Sequence, residues 1–495
     1  MDCLLSIDIG LTQLKCVLFS LTGREIHIAT AHTLVLVDKG RSEIDMDELW
    51  AKTASLIRLT LTQSGTNPAD IAAVGCCGHG AGLYLADQQL QPVRRAITSM
   101  DNRAETLLEQ CRTQGSGDRT CLFQQLWAGQ ALPLLAWLQI HEPEAIRKAA
   151  WILSAKDWII ARLTGRAGMD MTDGSNNGLI RSADKLVAVD LMDELGLADC
   201  VSKLPPLRQS TALAGTVQPA SAAQTGLLPG TPVAGGLFDC AACALGCGLL
   251  SGNSYSLIAG TWNINAGIDT RLLGPSESTK CTLFPDGVHY FYVESSSTSA
   301  VNLDWFVRQI LQGNGDTDQL AYQRINDLVA TAYAVPNDLM YLPFLYPAGM
   351  LRHQQGASLI NLRPEHTRGD VLAAIYRGVT YAHRLHLDRL RASGIVRSSA
   401  VLTGGAAKSD IWRQIFADTL GLSVITAEAS QTGALGAAMC AAVAIGQWED
   451  LPTADAQMVR RLAVFQPDPE VSAESERQYR LFLQYMRLLD QPFDR

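Results

Sequence analysis

Two segments in opposite halves of this 495-residue chain are built alike, and they limit its fold more than any other feature. LLSIDIG at 4–10 ends in an acid and a glycine, and LKCVLFS at 14–20 returns with β-branched and aromatic residues, the pattern of a β-hairpin. SYSLIAGTWNINAGI at 254–268 repeats the theme as apolar strand, Gly-Thr turn and second strand. A third strand over 25–37 makes the first hairpin an antiparallel meander. EIDMDELWAKTASLIRLTLTQS then reads as a helix: Asp45 can cap it, Asp47 and Glu48 suit its first turn, and Leu49, Ala54, Ile57 and Leu61 recur on one face. IAAVGCCG at 71–78 is a short buried strand entering a glycine-rich loop. Strands, helix and buried strand in that order predict a mixed sheet covered by helices, and the repeat predicts two α/β domains with a cleft between them. A stretch rich in Pro, Gly, Ser and Ala from Leu204 to Pro232 has little periodicity and leads to GGLFDCAACALGCGLL, near which the second unit begins. The domains read as 1–242, 243–446 and a charged, helical extension 447–495 packed on the outside.

Charge and composition remove whole classes of function. Forty Lys+Arg against 49 Asp+Glu leave a formal charge of −9, the wrong sign for a nucleic-acid partner. The longest apolar run, near Ala437–Ile445, is shorter than the roughly 18–20 residues of a membrane span. MDCLLSIDIG has an acid at position 2 and no basic n-region, so a secretory signal is not expected. Twelve cysteines scattered through apolar stretches behave as small hydrophobes, not as a disulfide framework. These features fit a cytoplasmic protein with no membrane partner.

No G-x-x-x-x-G-K-[ST] loop and no G-x-S-x-G elbow is present. GHGAG at 78–82 lacks the spacing of a dinucleotide loop. Asp8-Ile9-Gly10-Leu11-Thr12 places a carboxylate at a strand end before a tight turn with a hydroxyl and free backbone N–H groups. Such a turn can hold hydrated Mg²⁺ and phosphate oxygens, although Asp, Gly and Thr equally make ordinary hairpin turns. Lys15 is either a point charge for the same phosphates or an exposed strand residue. Ala259-Gly260-Thr261 is the matching turn of the second half. In LTGGAAKS at 402–409 a strand meets a small-residue turn and then a helix, where a flat base can approach the backbone of Gly404, Gly405 and Ala406. Asp239 follows an apolar strand and precedes a small-residue helix; it is either an N-cap or a group placed to accept a hydroxyl proton.

The order and spacing of these motifs resemble the FGGY family of carbohydrate kinases, within the actin, hexokinase and heat-shock ATPase fold group. The resemblance runs over about residues 4–446. It includes the Asp8-x-Gly10-x-Thr12 hairpin, EIDMDELW, AVGCCGHGAGLYLADQQLQPVRRAITSMDNRA and GTPVAGGLFDCAACALGCG. It continues through IAGTWNINAG, EHTRGDVLAAIYRGVTYAHR, VLTGGAAKSDIWRQIFADTLGLSV and TGALGAA. It implies two RNase H-like domains, ATP as co-substrate with Mg²⁺, transfer of the γ-phosphoryl group to a sugar hydroxyl with domain closure against water, and a homodimer. By the same resemblance Asp239 is the catalytic base against the sugar and Asp8 the Mg²⁺-side carboxylate. Gly10, Thr12, Lys15, Gly260 and Thr261 fall on the phosphates, and Gly404, Gly405 and Ala406 on the adenosine. His79 and Asp101 match sugar contacts, and Arg103 either joins them or orients their loop.

GLFD, AGTW-x-I-N and SSSTSAVNLDWFV are most similar to the L-xylulose and 3-keto-L-gulonate kinase branch. Ser99 departs from a Trp common in relatives, Gly80 from the carboxylate of glycerol kinases, and Arg377 from a common Glu. YLPFLYPAG at 341–349 lacks the usual Gly-Glu-Arg continuation. The expected acceptor is a ketose or keto-sugar acid such as L-xylulose. D-xylulose, ribulose, erythritol, glycerol and gluconate stand as alternatives, beside a catalytically weak sugar sensor and an oxidoreductase using GHGAG. Cys240-x-x-Cys243 reads as helix packing rather than a metal site, and His383 and His386 as surface or satisfied core histidines. Trp262 either walls a sugar pocket or joins the core; Trp305 and Trp412 read as helix packing residues.

Overall fold

Cys3–Ile9, Gln13–Ser20 and Glu25–His32 pair antiparallel in the computed structural model, forming the meander expected from the sequence. The structure describes residues 2–113, 126–274, 279–311, 318–335, 337–346 and 356–489; the missing Gly-Glu-Arg continuation after residue 346 lies outside them. The third strand stops at His32, short of the predicted residue 37. Thr33 leaves the ladder there, its N–H bonding Thr12 O at 3.1 Å and its hydroxyl Gly10 O at 2.7 Å, and Val35–Asp38 pairs instead with Arg41–Ile44. Two units are formed. One comprises Met1–Gly252, Ile268–Tyr292 and Ala429–Arg460, the other Asn253–Gly267, Val293–Glu428 and Arg461–Arg495.

In the first unit the main sheet path runs Leu213–Thr216, Pro232–Ala234, Ile71–Gly78, Cys3–Ile9, Gln13–Ser20, Glu25–His32. The aperiodic Pro/Gly-rich stretch thus supplies two strands, whose pattern is too short to register as alternation. The helix Met46–Ser64 starts where predicted. Asp45 Oδ1 accepts the Glu48 N–H at 3.0 Å, Gly65 closes the helix at φ +68°, and Leu49, Trp50, Ala54, Ile57 and Leu61 are buried. Each fully buried side chain of this size contributes roughly 1.5–3 kcal/mol. The helices Asp239–Gly246 and Thr432–Ala444 approach backbone to backbone. A Cβ on Gly436 would sit 2.2 Å from Ala242 O, and one on Gly246 2.0 Å from Thr432 O, so only glycine fits. A Cβ on Gly433 would lie 3.2 Å from Cys243 Sγ, which places the second cysteine of the C-x-x-C pair in this packing.

The second unit repeats the plan. Ser254–Ala259 pairs antiparallel with Asn263–Asp269 and parallel with Ser399–Thr403, which pairs with Ser423–Ala427. His383 and His386 are fully buried on the helix Arg368–Ala392. His383 bonds Asn265 Oδ1 at 2.8 Å and Ser299 Oγ at 3.0 Å; His386 bonds Glu294 at 3.0 Å and Ser296 at 3.1 Å, so both are satisfied core histidines. Trp412 stacks on Tyr376 with centroids 4.0 Å apart. Trp305 is 38% exposed and Trp262 41%, so neither belongs to the core, contrary to the packing role read for Trp305. The tail after Gly446 is not only an outer helical layer. Arg461–Phe465 is a strand on Ser423–Ala427, and helix Pro469–Leu489 buries Tyr479 and Phe482 against Met340, Leu342, Phe344 and Tyr381. Among the described residues no helix is long and apolar enough to cross a membrane.

Candidate active site

Cys3–Ile9, Ile71–Gly78 and Leu237–Phe238 run parallel, and their register sets both Asp8 and Leu237 beside Cys77. Asp8, His79 and Asp239 therefore emerge together at the carboxyl ends of neighbouring strands, the end at which open α/β sheets bind ligands. Lys15 lies opposite Asp8 in the hairpin, Nζ 3.5 Å from Oδ2. Burial raises the Asp8 carboxyl above its usual range against the pull of Lys15. Gly10 turns so tightly that a Cβ would lie 2.7 Å from Gln13 O, and Thr12 stands exposed at the tip.

Asp239 opens the helix Asp239–Gly246, but Phe238 occupies the cap position, so the carboxylate is not the N-cap. Its Oδ1 accepts the Cys240 N–H at 2.7 Å. Burial, and then the charge of Asp8, push its pKa up to about 7. Asp8 and Asp239 together offer carboxylates of the kind a divalent cation takes. The described residues contain no cluster of three His, Cys, Asp or Glu around a metal position. A cation here would therefore be held as Mg²⁺ commonly is, by one or two carboxylates, its own waters and phosphate oxygens.

His79 is 3% exposed and neutral at physiological pH, since burial lowers its pKa to about 4. Its Nε2 pairs with the Tyr84 hydroxyl at 3.0 Å, while Nδ1 has no hydrogen bond of good geometry. Asp101 and Arg103 form a pair of their own. The Asp101 oxygens accept from Ser42 N at 2.7 Å and from Arg103 N, Nε and Nη2 at 2.8–2.9 Å. Arg103 also reaches Glu43 at 2.7 Å and lies over the Trp137 ring.

Beneath this surface is a cluster that the sequence reading missed. Lys156 Nζ, fully buried, meets Asp170 at 2.6 Å, Asp157 at 3.0 Å, Asp173 at 3.2 Å and Ser154 Oγ at 3.0 Å. Burial alone would discharge this lysine, yet the three aspartates hold its pKa above the ordinary range. The cluster is tied to the strand ends. Asp170 accepts from Thr172 Oγ1 at 2.6 Å, and Thr172 Oγ1 accepts the Phe238 N–H at 3.2 Å, one residue before Asp239. Asp173 accepts the Ala81 N–H at 3.3 Å, two residues after His79. The visible signals were the polar run DMTDGSNN between apolar segments and Ser154-x-x-Asp157, a capping box in the structure.

In the second unit Gly404 adopts φ +87°, and a Cβ there would lie 2.6 Å from Ala259 O and 3.1 Å from Gly260 N. The two glycine turns read separately from the sequence are thus packed on one another. Ala406 is buried, Thr261 exposed, and Ser409 caps the following helix Asp410–Leu420 by accepting the Trp412 N–H at 3.2 Å.

Two sheet-bearing units, each led by a hairpin with a parallel neighbour, form the two-domain fold of the actin and hexokinase type. A solved gluconate kinase from Lactobacillus acidophilus has this fold with TM-score 0.88 at 21% identity, over 99% of both chains. The N-terminal domain model of the FGGY family of carbohydrate kinases matches residues 3–246, and the C-terminal domain model residues 255–445. The chain belongs to the FGGY family of carbohydrate kinases and is an ATP-dependent sugar phosphotransferase, as its motifs implied. It is 32% identical over 489 residues to a probable L-xylulose kinase of Pasteurella multocida, covering 98% of each. It is also 32% identical over 485 residues to the L-xylulose/3-keto-L-gulonate kinase of Escherichia coli, covering 97% of this chain and 95% of that one.

Proposed function

We propose that the chain phosphorylates a terminal hydroxyl of a ketose or keto-sugar acid, with the pentulose L-xylulose as the first candidate. The relatives named for L-xylulose and 3-keto-L-gulonate support the acceptor class. The observation that carries the chemistry is Asp239, a carboxylate at a parallel strand end whose pKa is pushed up to about 7. A base poised near neutrality takes a hydroxyl proton most effectively. In the transfer, the acceptor oxygen forms a bond to the γ-phosphorus of ATP, the bond from that phosphorus to the ADP oxygen breaks, and the hydroxyl proton passes to Asp239. The Gly10 and Thr12 turn, with Lys15, contacts phosphate oxygens. The Gly260-Thr261 turn does the same, and Gly404, Gly405 and Ala406 receive the adenosine. Asp8 would hold Mg²⁺ on its side of the site, where the ion when bound would neutralise phosphate charge. His79, neutral, contacts the sugar; Asp101 contributes beside it, with Arg103 holding its carboxylate in place.

A coupled ADP-release assay over L- and D-xylulose, L- and D-ribulose, 3-keto-L-gulonate, erythritol, glycerol and gluconate tests the acceptor class. Turnover confined to a ketose or keto-acid supports it; turnover of glycerol or erythritol alone overturns it. Asp8→Ala should lower activity by a factor that shrinks as Mg²⁺ is raised, and a defect independent of Mg²⁺ would remove Asp8 from the metal side. The pH dependence has a definite sign. Protonated Asp239 cannot act as base, so kcat/KM should rise about tenfold per pH unit below about 7 and level off above it. Asp8→Asn removes the neighbouring charge and should move that shoulder to lower pH. A profile flat from pH 5 to 8 would count against Asp239 as the titrating base.

A further inference from the structure

Asn176 ends the short helix Met171–Asn176 and is 6% exposed. Its backbone carbonyl is used, accepting from Gln130 Nε2 at 2.5 Å. Its side-chain amide has no hydrogen bond to the described protein, and its atoms are not sealed from solvent. A polar group so buried and unpaired requires a partner from outside the chain, a water or a ligand. The position of this amide is defined by Gly80. A Cβ built there would lie 2.8 Å from Asn176 Nδ2 and 2.9 Å from Phe238 Cδ2, so the amide stands at the His79–Gly80 loop beside the residue preceding Asp239. His79 Nδ1 lacks a well-formed bond on the same loop. The Asn176 amide, a neutral group with unused hydrogen-bonding capacity, therefore stands beside the Asp239 strand end.

We propose that Asn176 is an acceptor-binding residue, its amide pairing with a hydroxyl or carbonyl oxygen of the acyclic sugar. The inference rests on the kinase reading given above and adds a specificity determinant to it. An amide both donates and accepts, which suits a chain of neutral hydroxyls and rejects an analogue that leaves it unpaired. Gly80 is the second half of the device. Its backbone is ordinary, so alanine is excluded there only by Asn176 and Phe238, and Gly80→Ala should displace the amide.

The test measures KM and kcat for the best acceptor of the panel and for its epimer at one carbon. KM for ATP and the melting temperature are followed alongside. Asn176→Ala and the shape-preserving Asn176→Asp should raise KM for the acceptor about 10–100-fold and change the ratio of kcat/KM between epimers. The KM for ATP should stay within about twofold, and Gly80→Ala should reproduce the acceptor defect. Unchanged acceptor KM, or an equal loss with every acceptor and with ATP accompanied by a lower melting temperature, would overturn the proposal and leave Asn176 a packing residue. If the wild-type enzyme turns over only a non-ketose polyol, the ketose reading fails while Asn176 is still tested on that polyol. If it turns over no acceptor, both fall.

Discussion

Asp239→Asn should lower kcat by about 10²–10⁴-fold, or roughly 3–5 kcal/mol in the barrier, with little change in ATP affinity. The substitution preserves shape, and an asparagine Oδ1 can still accept the Cys240 N–H that Asp239 receives at 2.7 Å. What it removes is the capacity to take a proton. The same variant should be at least as stable as the parent above pH 7. The raised pKa means that the folded chain favours protonated Asp239, so the residue's contribution to stability falls as pH rises from about 4, the unfolded value, to about 7. Asparagine carries no such charge beside Asp8. Loss of activity with unchanged or raised stability is the signature of a functional acid; near-normal turnover would remove Asp239 from the role of base.

Lys156→Met should strongly destabilise the first unit. It leaves Asp157, Asp170 and Asp173 buried with no cation among them, and breaking a buried charge pair costs about 3–5 kcal/mol. Partial protonation limits the loss, since burial already pushes Asp173 to about 6, so the variant should recover stability as pH is lowered towards 5. Activity should fall further than the folded fraction explains. The cluster holds the Phe238 N–H through Thr172 and the Ala81 N–H through Asp173, and with them the approaches to Asp239 and His79. Urea titration of the variant and parent at pH 5 and 8 checks this. An unfolding free energy within about 1 kcal/mol of the parent at both pH values would show that the ammonium does not hold the cluster.

The sequence carried the plan of each half because the plan is local. The strand–turn–strand patterns at 4–20 and 254–268 specify hairpins, and Asp45 with the 3.6-residue apolar period specifies the helix Met46–Ser64. The same locality exposed the turns at Gly10–Thr12, Ala259–Thr261 and Gly404–Ala406, since a glycine turn is a property of a few consecutive residues. Their linear order sufficed for the family.

Tertiary structure decided what depends on residues far apart in the chain. A strand of three or four residues such as Pro232–Ala234 has too few positions to show a period and exists because Ile71–Gly78 lies beside it. Trp305 and Tyr479 look alike as aromatic residues in helical segments, yet one is exposed and the other buried, because burial is set by what arrives opposite. Nothing in the residues next to Lys156 marks it, and its environment is set by three aspartates, two of them on another segment. Asn176 gains its interest only from Gly80, nearly a hundred residues earlier. Backbone pattern is written in neighbouring residues, whereas the pairing of buried charges and the surroundings of a buried amide are sums over segments that only folding brings together.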